Sequence, residues 1–174
     1  MDNFIGQAVG LLAVLVGFYI YLSNSRTRIL ILKLTTDFLW IAHFFMIGGY
    51  TAMLTTSIAV FREILFIKKD NYKILNHKVT PILFCIAFIV AAGVTWKGPQ
   101  SLFSATASCL ATIGFYNSKV SNIRIYSFLS SVLMLLNGIA YSSVANIINE
   151  IITMFSIVAG AVRNKKSKKG DNNV

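Results

Sequence analysis

Charge is scarce in this chain, and so are the side chains that usually carry chemistry. Charged residues make up 13% of its 174 residues, six of them acidic, and it holds two histidines, two cysteines and two prolines. So little charge, set against 56% hydrophobic residues and a mean hydropathy of +0.69, excludes a soluble domain of this length. Two histidines, His43 and His77, exclude a His-rich metal centre within one chain, because the topology derived below puts them on opposite sides of the membrane. Cys85 and Cys109 both fall inside apolar runs, where they read as small packing residues and not as a disulfide. There is no Gly-rich phosphate loop behind a strand and no Ser-His-Asp set converging on one membrane face. Almost no outer extramembrane mass is left for a catalytic domain, so an enzyme is not expected. No cofactor and no metal is called for.

What the chain has is long apolar runs. Seven of them are long enough, at about 1.5 Å per helical residue, to cross a hydrocarbon core of roughly 30 Å. They lie near Phe4 to Leu22, Arg28 to Gly48, Thr51 to Ile67, Val79 to Thr95, Gln100 to Asn117, Ile123 to Tyr141 and Ala145 to Val162. The first run carries Asp2 and no basic region ahead of it, and it is too long for a cleaved signal, so it is expected to be a retained helix.

The net charge of +10 does not mark a nucleic-acid surface, because the basic residues are confined to short segments between the apolar runs. With seven crossings, one side receives Arg26, Arg28, Lys68, Lys69, Lys73, Lys78, Lys119, Arg124 and the basic residues from Arg163 onward, and the other side receives Lys97. The positive-inside rule then gives an outer N-terminus and a cytoplasmic C-terminus in a multi-pass membrane protein. The expected partners are membrane lipid and a small polar solute, with a homo-oligomer compatible with the composition and no nucleic acid.

The chain repeats itself weakly. Gly17-Phe18-Tyr19 recurs as Gly114-Phe115-Tyr116, and His43 before Gly48-Gly49 corresponds to Asn137 before Ser142-Ser143. Two parallel units can share an orientation only if an odd helix separates them. The expected fold is therefore an all-α membrane protein of two parallel three-helix bundles joined by a spacer helix. Residues 1–68 form the first bundle, 69–98 the loop and a lipid-facing spacer helix, 99–163 the second bundle, and 164–174 a basic disordered tail. Parallel repeats of this kind place a solute site between the halves near the midplane.

The run Trp40-Ile41-Ala42-His43-Phe44-Phe45-Met46-Ile47-Gly48-Gly49-Tyr50, the opening Gly6-Gln7-Ala8-Val9-Gly10 and the segment Asn146 to Glu150 resemble the YgjV-type bacterial inner-membrane protein family over nearly the whole chain. That family in turn is similar to the sugar-transporting SWEET proteins, the PQ-loop transporters and the KDEL receptor. The resemblance implies the same layout of two three-helix bundles around a fourth helix. It implies no activity. The chain departs from the sugar transporters in lacking their helix-bending prolines, having Pro81 and Pro99 alone, and Pro99-Gln100 falls where a PQ motif would have no equivalent in the other half.

The polar residues inside the apolar runs are the candidate site. Asn146, Asn149, Glu150 and Thr153 form a stripe at spacing i, i+3, i+4, i+7, and a carboxylate with two amides on a lipid-embedded helix must face protein or a water-filled cavity. Glu150 has no basic residue within a turn and is a candidate proton carrier. The alternative is a Glu that fixes its helix by hydrogen bonds. Asp37 falls about ten residues, roughly 14 Å, into the second helix, with Lys33 four residues earlier as its partner and Trp40 on the same face. His43 and Asn137 complete the set, His43 being read as a hydrogen-bonded packing residue. Gly6 and Gly10 form a close-packing motif. Arg62 and Glu63 are read as an interfacial pair or as topology anchors. The functional expectation is a carrier for a small polar solute, and the alternative is a receptor or assembly partner with the same fold and a filled core.

Overall fold

Apolar runs in lipid can satisfy their backbone only internally, and in the computed structural model every run is helical. The structure describes residues 4–46, 50–96, 98–140, 142 and 144–171. Among them stand seven helices and no strand: α1 (Phe4–Ile20), α2 (Arg26–Met46), α3 (Tyr50–Lys68), α4 (Val79–Val94), α5 (Ser101–Tyr116), α6 (Val120–Ala140) and α7 (Val144–Asp171). Each falls within a few residues of the run expected for it, except at the C-terminal end of α7. The glycine pair 48–49 and Ser143 lie outside the described residues. Ser142, between α6 and α7, adopts the left-handed region at φ 52°.

Three helices are long and apolar enough to cross a membrane by composition alone: α2, α6 and residues Asn146–Asn164 of α7. The other four fall short for two reasons. α1, α4 and α5 are apolar but have 17, 16 and 16 residues, and α3 carries Arg62, Glu63 and Lys68. α7 remains helical to Asp171, although disorder is expected from Asn164. Nothing between Arg163 and Lys169 breaks a helix, and lysine is a good helix former.

The helices close into a ring. α1 packs on α2, α2 on α3, α3 on α5, α5 on α6, α6 on α7 and α7 on α1, with α4 wedged against α5 and α3. α4 is not a purely lipid-facing spacer. Ile82, Leu83, Ile86 and Ile89 face outward, but Phe88 and Ala91 are buried.

At one end of the ring the basic residues enter the structure. Arg26, at the start of α2, donates to the carbonyls of Phe66 (2.8 Å), Phe115 (3.4 Å) and Asn117 (3.1 Å) and pairs with Asp70 (3.1 Å). Arg124, at the start of α6, donates to the carbonyls of Tyr21 (3.0 Å) and Ser23 (3.0 Å) and to Asn24 Oδ1 (2.9 Å). Lys69 donates to the Tyr116 carbonyl. The last carbonyls of a helix have no intrahelical partner and sit at its negative end, which makes a guanidinium fork their natural complement. Burial first, and then the nearby Arg26, push the Lys69 ammonium below the usual lysine range, with Asp70 opposing.

Candidate functional site

The ring encloses a cavity of about 870 Å³, and all seven helices contribute to its wall. It lies where a site between helices two, three, six and seven was expected, but α5 lines it along its length, and α4 supplies Phe88, Ala92 and Thr95. Asp37, Trp40, His43, Asn137, Asn146, Asn149 and Glu150 all face it, so the structure brings the whole candidate set together.

The wall is laid out in register. On α2 and α6 the lining residues pair as Lys33 with Ser127, Thr36 with Ser130, Asp37 with Ser131, Trp40 with Met134 and His43 with Asn137. On α3 and α7 they pair as Ala52 with Asn146, Thr55 with Asn149, Thr56 with Glu150 and Ala59 with Thr153. Every pair has the same separation along the chain, so α2 and α3 present to the cavity the same helical faces that α6 and α7 present.

Four charges meet on one side. Lys33 Nζ contacts Asp37 Oδ1 and approaches Glu63 Oε1 at 3.9 Å, and Arg62 donates to Glu63 Oε1 at 2.7 Å and to the Thr112 hydroxyl at 3.1 Å. The Arg62 guanidinium also lies over the rings of Phe88 (5.4 Å) and Phe115 (5.2 Å). Arg62 and Glu63 are 3% and 0% exposed, so they are not the interfacial pair expected. Two cations and two carboxylates neutralise each other, which is the condition under which charge survives away from water. The sequence offers one clue to this cluster. Arg62 and Glu63 stand a full turn inside the end of α3, and besides each other their partners, Thr112 and Lys33, belong to other helices.

On the other side Glu150 is buried and accepts hydrogen bonds from Asn149 Nδ2 (3.2 Å) and from Ser131. Asn146 is tied to α6 through the Met134 carbonyl at 3.1 Å. His43 fits the packing role: its Nδ1 lies 2.7 Å from the Gly6 carbonyl, and its ring covers Gly10, where a Cβ would come within 2.8 Å of it. Trp40 stands edge-on to His43 (5.3 Å) and is stacked with Phe44 (5.5 Å). Cys85 and Cys109 are free and pack α4 on α5, each sulfur near the other residue's carbonyl.

An apolar exterior, helices only among the described residues, and a central cavity that gathers buried polar side chains define an all-helical integral membrane protein. Comparison with known families agrees: residues 4–168 match Imp-YgjV, a family of bacterial inner membrane proteins. The chain belongs to that family and is a protein of the bacterial inner membrane. No curated protein and no solved structure matches it.

Proposed function

We propose that this protein carries, or lets through, a small polar solute by way of the central cavity. The observation that supports this is the cavity itself. At about 870 Å³ it is of the size that small-molecule sites occupy, and its largely apolar wall of alanine, phenylalanine and methionine is set with serine and threonine hydroxyls, three asparagine amides and a tryptophan. The alternative is a receptor or assembly partner with the same fold and a filled core, and the cavity favours the carrier reading.

The constant register of the wall supports a division into two parallel units, α1 to α3 and α5 to α7, with α4 joining them. A distant likeness to the SWEET, PQ-loop and KDEL-receptor proteins belongs to the same proposal and rests on this layout. The clustering of Arg26, Lys69 and Arg124 at one end supports a cytoplasmic position for that end, with an outer N-terminus. With Lys33 paired to Asp37 and Arg62 to Glu63, the chain is read as a carrier and not an enzyme.

The test is solute entry into vesicles. Purified protein in liposomes is mixed with a panel of small polar solutes, and swelling is followed by light scattering. At least one solute should enter faster than it enters empty liposomes, and Ser104→Trp, which fills the cavity, should abolish the difference. Entry equal to that of empty liposomes for every solute sinks the reading.

A further inference from the structure

The charges around the cavity do not cancel completely. Lys33 is committed to Asp37, and Arg62 to Glu63, which leaves Glu150 with no ion-pair partner among the described residues. Lys33 acts on Glu150 through space, but its ammonium is bonded to Asp37. The partners that Glu150 does have, Asn149 and Ser131, are neutral donors that fix a carboxylate in place without compensating it.

A second observation points the same way. Asp37, 2% exposed and on the cavity wall, leaves its Oδ2 without a hydrogen-bond donor, and Glu63 Oε2 behind it is likewise unmatched. Carboxylate oxygens only accept when ionised, and a buried acceptor without a donor is costly. Counting Glu63 behind the wall, three carboxylates stand against two cations, and the one without an ion pair, Glu150, faces the cavity together with the Asp37 oxygen. An anionic solute would meet repulsion here, and a neutral one would leave the excess charge uncompensated.

We infer that the solute is cationic: a small molecule bearing an ammonium group, which sits against Glu150 while polar groups elsewhere on it meet the hydroxyls and Asp37. This rests on the carrier reading above and names the class of solute for the same cavity. An ammonium supplies the missing charge and up to three donors in a single compact group.

Three molecules of nearly equal size test it: ethanolamine, ethylene glycol and glycolate, which carry one positive charge, none, and one negative charge at neutral pH. Thermal unfolding of the detergent-purified protein is followed against each at matched ionic strength. Ethanolamine should raise Tm at concentrations at least tenfold lower than either isostere requires, and Glu150→Gln should remove that advantage. The wild-type comparison stands by itself if the variant does not fold. Stabilisation by ethylene glycol or glycolate in preference, an ethanolamine effect that survives in Glu150→Gln, or no response to ethanolamine would each overturn the inference. None of these touches the carrier reading, which the vesicle assay decides separately.

Discussion

At Asp37 two kinds of information meet. Its partner Lys33 is legible in the sequence because four residues make one helical turn, and the contact is present. Its other neighbour, Glu63, is not legible, since that approach depends on how α2 and α3 are set against each other. Removing one member of this neutral quartet leaves a buried charge without its counterpart. Asp37→Asn should therefore cost about 3–5 kcal/mol of stability, and a double variant with Lys33→Met should recover much of the loss. Unfolding of the single and double variants in detergent measures that coupling. Gly10 offers a second test at this scale. A Cβ there would press on the His43 ring, so Gly10→Ala should destabilise by about 1–3 kcal/mol, and His43→Ala in the same chain should relieve it.

Helix contacts turn on glycines in a way that composition does not reveal. At Gly160 in α7 a Cβ would overlap the Tyr21 carbonyl, which is also held by Arg124, whereas at Gly93 in α4 a Cβ meets nothing within 4 Å. Gly160→Ala should push α7 away from the end of α1 and lower Tm by several degrees. Gly93→Ala, which only improves helix propensity, should leave Tm unchanged or raise it by the equivalent of about 0.5–1 kcal/mol. The helix boundaries were legible because hydrophobic runs and short basic loops alternate along the chain. The packing of Phe88 and Ala91 was not, because α4 carries its polar residues at its ends and shows no inward stripe in sequence. The helical stretch past Asn164 was also missed. A run of polar, basic residues reads as disordered by composition, although each lysine by itself suits a helix.

For the whole molecule, the seven-crossing topology predicts that an activity reporter fused after Val174 works in the cytoplasm and that one placed before Met1 does not. The opposite result would reverse the orientation proposed here. The proposed repeat is faint in sequence because the wall positions that would match hold unlike residues, Lys33 with Ser127 and Asp37 with Ser131 among them. The shared register emerges only when the faces that line the cavity are compared.

The arginine contacts at the basic end have a mechanical consequence. Arg26 reaches from α2 to the carbonyls of Phe115 and Asn117 at the end of α5, Arg124 reaches from α6 back to the end of α1, and Lys69 crosses to Tyr116. Toward the far end, His43 of α2 is tied to Gly6 of α1, and Asn146 of α7 to Met134 of α6. A body stapled along one edge behaves like a pair of jaws on a pin. If the proposed units α1 to α3 and α5 to α7 move against each other, the basic edge should be the pivot and the far edge should open more. Spin-label distances across the units should then be broad between Ile5 and Leu102 and narrow between Ser23 and Ser118.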